Sequence, residues 1–220
     1  MLDINIAEEL KTKWIDIAIG SIQTEIVVKP SDDALIEKLD NACSEFANNY
    51  KVEDISKLKP IADSRKAYKA LGKDPARYRL SSEALLRRIV KEKGIYKINN
   101  IVDINNLISM TSFYSICAFD ISKLQPPIKF TVGTKEDVYY GIGRGLLNIE
   151  NLPVFEDLLC KFGSPTSDSE RVKITNNTAA ISMNIISFSG VADLQLQLEK
   201  LKENLIQFAE AKNIETTIIV

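Results

Sequence analysis

The chain has 220 residues, 45% apolar and 26% charged, with a formal net charge of −2; these values suit a well-buried core and exclude a disordered or collagen-like polymer. It contains no histidine, which removes Ser-His-Asp and Cys-His catalysis and every histidine-containing metal site. Cys43, Cys117 and Cys160 lie far apart with no CxxC pair, so free thiols, no zinc site and no cofactor are expected. No run reaches the roughly 18–20 apolar residues of a membrane span. The acidic start MLDINIAEEL lacks the apolar centre of a signal peptide, so a cytoplasmic protein without membrane contact is the expectation.

Residues 14–28 are rich in Ile and Val and partly alternate, which predicts strand, broken near Gly20-Ser21 and ended by Pro30. Ser31 is placed to cap a helix with Asp32 and Asp33 in its first turn. Leu35, Leu39, Ala42, Phe46 and Tyr50 give that helix one apolar face. The charge then changes sign. Residues 1–56 carry 5 basic and 12 acidic side chains, residues 57–97 carry 13 and 4, and residues 98–220 carry 10 and 14. Within the basic stretch a helix over about 61–71 is closed by Gly72. A loop passes through Asp74-Pro75, and Ser81 or Ser82 is placed to cap a second helix reaching almost to Gly94. Arg87, Arg88, Lys91 and Lys93 load its latter half. That placement suits the helix dipole on a solvated surface. It equally suits a phosphate-binding patch made of Arg65, Lys73, Arg77, Arg79, Arg87 and Arg88.

From Ile95 the sequence reads as short β-type runs: 117–121, 128–132, 138–142 and 179–188. They are separated by Pro126-Pro127, Gly133, Gly141, Gly143, Gly145, Pro153, Gly163 and Pro165, residues that punctuate turns. A helix over about 193–212 follows, with Leu194, Leu198, Leu201, Leu205 and Phe208 as its buried stripe. The terminal TTIIV reads as strand, so 181–188, the helix and this strand suggest a βαβ unit. One α+β domain over residues 1–220 is the economical reading.

Among the motifs, Gly141-Ile-Gly143-Arg-Gly145 lacks the spacing of a nucleotide loop and fits hairpin glycines better. Asn176-Asn177-Thr178 reads as a turn. Tyr68, Tyr78, Tyr96, Tyr139 and Tyr140 suit half-buried packing or stacking on bases. Asp103 and Asp120 lie in apolar surroundings, where a carboxylate must be hydrogen-bonded or functional.

The run Asn99-Asn100-Ile101-Val102-Asp103-Ile104-Asn105-Asn106 resembles the NNxVDxxN element of the B3/B4 domain in the β subunit of phenylalanyl-tRNA synthetase. Ala118-Phe119-Asp120 is similar to the family's PLHAFD segment, and Phe162-Gly163, Ile174-Thr175 and Thr178 to its later GG…V…T segment. The resemblance is strongest over 60–190. The basic stretch from Arg65 to Arg88 is more like free-standing members of the family. The resemblance implies an α+β fold with a β-sandwich-like core, mixed or antiparallel sheets and flanking helices. It also implies a cleft that, in the synthetase, removes tyrosine wrongly attached to tRNA. Two departures stand out: the family's histidine aligns with Cys117, and its editing glutamate aligns with Asn184.

Three functions follow as expectations. The first is a hydrolase acting in trans on mischarged aminoacyl-tRNA, with Asp103, Asn106, Cys117, Asp120, Gly163 and Asn184 around the pocket. In that reading the basic helices hold tRNA phosphates and the pocket takes an amino acid or aminoacyl-adenosine moiety. The second is a non-catalytic module binding RNA, an amino acid or a protein. The third gives Asp103, Asn106 and Asp120 a purely structural role. The chain carries no counterpart of a catalytic or anticodon-binding synthetase domain, so charging tRNA by itself is not expected.

Overall fold

In the computed structural model, which describes residues 2–220, a short strand β1 (Ile4–Ile6) and helix α1 (Glu8–Lys13) lead into β2 (Ala18–Glu25). The expected break at Gly20-Ser21 does not occur, and β2 runs straight through. Gly20 serves a different need. A Cβ there would sit 3.2 Å from Leu198 Cγ, so glycine lets a helix settle close on the sheet.

The helical layer follows: α2 (Asp33–Asn49), α3 (Val52–Ile55), α4 (Lys59–Ala70), α5 (Ser81–Val90) and α6 (Asn100–Ser112). Asp32, rather than Ser31, caps α2 by accepting from the Leu35 N–H. Helix α5 begins without a side-chain cap from Ser81 or Ser82. Its first amides are taken by tertiary partners instead: Ser81 N–H donates to the Pro165 carbonyl and Ser82 N–H to Ser115 Oγ. Helix α6 corrects the β-type reading after Ile95. Asn99 caps it by accepting from the Val102 N–H.

Strands β3 (Ser115–Asp120), β4 (Ile128–Val132), β5 (Val138–Gly141), β6 (Gly145–Asn148), β7 (Pro153–Glu156), β8 (Lys161–Gly163) and β9 (Ala180–Ser187) come next, before α7 (Leu194–Ala209) and β10 (Lys212–Ile219). Glu210, in the left-handed region at φ 54°, ends α7 after Ala209, short of the expected end near 212, and the whole apolar stripe lies within it.

These strands form two four-stranded sheets, β1-β4-β7-β8 and β10-β2-β9-β3, and the separate hairpin β5-β6. β1 pairs parallel with β4; the other pairings are antiparallel. β2 therefore lies between β9 and β10, which run parallel to one another across it and are joined by α7. The inner faces of the two sheets meet through aromatic rings: Phe119 packs edge-on against Phe155 at 5.2 Å and Phe162 at 4.9 Å. Helices α7 and α6 cover the opposite face of the second sheet, with α2 and α5 packed on α6. The architecture is α+β with a sandwich-like core. Among the described residues, no helix is long and apolar enough to cross a membrane.

Candidate functional site

The NNxVDxxN run divides its labour along the first two turns of α6. Asn99 caps. The Asn100 side chain accepts from Lys29 N–H and donates to the Val27 and Phe208 carbonyls, tying three chain segments together. Asp103 accepts from Ser31 Oγ at 2.6 Å and Ile98 N–H at 3.2 Å, which fixes the approach to the helix; burial raises its carboxyl pKa. Val102, Asn105 and Asn106 share the remaining face, and that face opens on a cleft of about 430 Å³.

Five other segments close the cleft. Helix α5 contributes Leu85 and Arg88, the following loop contributes Tyr96 and Ile98, and β3 contributes Ile116. Arg144 comes from the β5-β6 turn, and Ser164, Thr166 and Asp168 come from the loop after β8. The volume is in the range of small-molecule sites, and the wall is mixed apolar and polar as such sites are. Arg88 lies 4.1 Å from the Tyr96 ring centroid and donates to the Gly94 and Lys93 carbonyls. Arg144 is exposed and makes no salt bridge among the described residues.

Asp168 was invisible in the sequence, where Ser-Pro-Thr-Ser-Asp-Ser reads as polar turn. In the fold its Oδ2 accepts from the Ala118 N–H at 3.1 Å, while Oδ1 is buried and has no hydrogen-bond partner. Burial drives its pKa up from 3.8 to about 7, with the Ala118 amide, the Cys117 thiol and the Ser164 amide acting in the opposite direction. Gly163 is what allows this approach. A Cβ on it would lie 2.5 Å from the Phe119 ring and 3.0 Å from Asp168 Oδ1.

Cys117 and Asn184 do not line the cleft. They are cross-strand partners, and Asn184 also pairs with Ser21 of β2. Both are buried; burial, followed by the neighbouring Asp168, holds the Cys117 thiol well above its usual pKa. Asn184 donates to Ser182 Oγ at 3.1 Å, whereas its Oδ1 and Ser21 Oγ are buried without partners. Asp120 lies away from the cleft. It accepts from Ser122 and from Thr178 Oγ1 at 2.7 Å and faces Lys123. Burial opposes ionisation there, but these partners outweigh it and the carboxyl pKa is lowered. Of the expected pocket residues, Asn106 lines the cleft, Gly163 and Cys117 lie against Asp168 of its wall, Asn184 is buried within the sheet, and Asp103 and Asp120 belong to the frame.

The basic stretch is similarly divided. Arg65 and Arg87 converge on the fully buried Glu83, at 2.8 and 2.9 Å, with Arg79 at 3.8 Å. Lys73 is buried, donates to the Glu150 and Asn148 carbonyls and lies 3.7 Å over the Tyr78 ring. Arg77 remains exposed, and Arg88 borders the cleft. Among the described residues no group of three or more Cys, Asp or Glu has the arrangement of a metal site.

Comparison with known proteins agrees with this geometry. The B3/4 domain family matches residues 63–209. The fold is similar to an N-terminal fragment of the phenylalanyl-tRNA synthetase β-subunit from Pyrococcus horikoshii, with a TM-score of 0.51 and 13% identity over 99% of this chain. The match takes in 50% of that fragment, so the chain spans about half its length. No curated protein sequence matches.

Proposed function

Because the chain belongs to the B3/4 domain family, we propose that it hydrolyses aminoacyl esters at the 3′ end of tRNA, acting in trans. The observation that carries this reading is the cleft: about 430 Å³, lined by the amides of Asn105 and Asn106 and bordered by Arg88 and Arg144. That is room for an amino acid and its ribose, with cations where a nucleotide phosphate would emerge.

An aminoacyl ester is already an activated acyl group, so a site without histidine suffices if it aligns water and steadies the developing oxyanion. Alignment removes part of the barrier, and one well-aimed donor contributes roughly 2.7–4 kcal/mol. Asn106 is the donor to the carbonyl oxygen in this reading. The water oxygen bonds to the carbonyl carbon, the ester C–O bond breaks, and the proton given up by water ends on the departing ribose oxygen. Arg77, Arg88 and Arg144 hold phosphates. Asp103 and Asp120 keep the frame, and Gly163 and Cys117 pack against Asp168 in the cleft wall.

Incubation with a panel of mischarged tRNAs tests the proposal. At least one should be deacylated faster than it hydrolyses spontaneously, and Asn106→Ala should slow that rate by roughly a hundredfold. Spontaneous rates throughout the panel would overturn it. The alternative of a non-catalytic binding module draws on one observation: Arg65, Lys73 and Arg87 are engaged inside the protein, which leaves few cations for RNA. Binding of an amino acid or a protein without any hydrolysis, and with no salt-sensitive tRNA binding, would favour it.

A further inference from the structure

Helix α6 borders the cleft with Val102, Asn105 and Asn106, and its other end borders a second cavity, a groove of about 300 Å³. The groove lies between the end of α2, with Glu45, Phe46 and Tyr50, and the end of α6, with Met110 and Phe113. It shares no wall residue with the cleft. Three aromatic rings meet there. Phe46 is buried and stacks on Tyr50 with centroids 4.6 Å apart. Phe113 stands at 75° to Tyr50, centroid to centroid 6.1 Å. Tyr50 and Phe113 are only half-buried and both line the groove, so their rings bound a corner that solvent reaches. Phe113 holds this place against its own backbone preference. It follows α6 in the left-handed region at φ 68°, where glycine is favoured and a bulky side chain is penalised.

Charge at the groove is one-sided. Glu45 is exposed on its wall and makes no salt bridge among the described residues. No Lys or Arg lines the groove, and Lys38, the one basic residue of α2, donates instead to Asn204 of α7. Aromatic rings and an uncompensated carboxylate attract the same partner, an organic cation. The groove has too few acceptors to replace the water around a primary ammonium, which carries three N–H donors. A trimethylammonium group has no N–H to satisfy and presents methyl groups to the rings.

We infer that this groove binds a small soluble quaternary-ammonium compound, held against the rings of Tyr50 and Phe113 with Glu45 as its counter-ion. A volume of about 300 Å³ is at the small end of ligand sites and suits a trimethylammonium head with a short substituent. The inference does not depend on the deacylase reading.

The test is an amide NMR titration of the whole chain with choline and with the neutral alcohol in which a carbon replaces choline's nitrogen. The two have the same shape, so only the charge distinguishes them. Choline should bind about tenfold more tightly and shift the signals around Tyr50 and Phe113, since each partly exposed ring contributes a few-fold in affinity. Tyr50→Leu should remove most of that preference. Phe113→Gly should do the same while easing the backbone at the end of α6, with the spectrum away from the groove unchanged. Glu45→Gln should weaken choline about two- to fourfold and leave the alcohol unaffected. Equal affinity for the two compounds, no shift near the groove on adding choline, or undiminished binding by both ring variants would each overturn the inference. Retention on phosphatidylcholine vesicles without binding of free choline would overturn the assignment to a soluble ligand.

Discussion

Two acids of the helix-and-loop side of this protein, Glu83 and Asp168, have opposite surroundings. Glu83 of α5 is fully buried and receives Arg65 and Arg87 within 2.9 Å. Asp168 lines the cleft with one oxygen held by a backbone amide and the other unpaired. The first is a finished ion cluster whose partners are all within the chain. The second is an unfinished one. A fold can hold a buried acid in either way: the first by counter-ions within the chain, the second by favouring its neutral form.

The sharpest way to break this comparison is to remove the finished charge. Glu83→Gln leaves Arg65 and Arg87 partly buried without their counter-ion and should cost about 3–5 kcal/mol in denaturant unfolding. A loss near zero would mean that the cluster contributes nothing to the fold. Asp168 should behave in the opposite sense. Its pKa is raised, so the neutral acid is favoured in the folded chain. The stability it contributes is complete below about pH 4 and is lost as pH rises through about 7, since a tenfold difference in proton affinity between folded and unfolded chain corresponds to about 1.4 kcal/mol. Asp168→Asn should therefore be the more stable protein at pH 8, by roughly 2–4 kcal/mol, with the advantage vanishing near pH 4. Parallel stability-versus-pH curves for the two proteins would contradict the assignment.

Smaller effects sharpen the boundary between cleft and frame. Gly163→Ala pushes a methyl group towards the Phe119 ring and Asp168 Oδ1; thermal unfolding should register a loss of about 1–3 kcal/mol, and ligand affinity should fall with it. Asp103→Asn, in the frame, should cost only about 1 kcal/mol of stability and leave deacylation by the folded fraction unchanged. A selective loss of activity at normal stability would move Asp103 into the site.

Much of this frame is legible in the sequence. The stripe from Leu194 to Phe208 identifies α7, and the glycines 141, 143 and 145 mark the β5-β6 hairpin, because both signals are local. Helix α6 is not legible as a helix. Ile101, Ile104, Leu107, Ile108 and Met110 are buried together with Asn100, Asp103 and Ser109, so it has no polar stripe, and its β-branched residues imitate strand. The basic stretch is visible as a concentration of charge, but charge counts do not disclose Glu83 as the recipient of Arg65 and Arg87. Asp168 owes its character to tertiary burial against Ala118 and Cys117, distant in the chain, and no pattern around position 168 announces it.

The most direct measurement is a crystal structure of the protein with an amide-linked aminoacyl-adenosine monophosphate. The account predicts the aminoacyl group beside Asn106 and the phosphate beside Arg88 and Arg144. An analogue seated elsewhere on the surface, with the cleft taken up by the protein's own side chains, would contradict it.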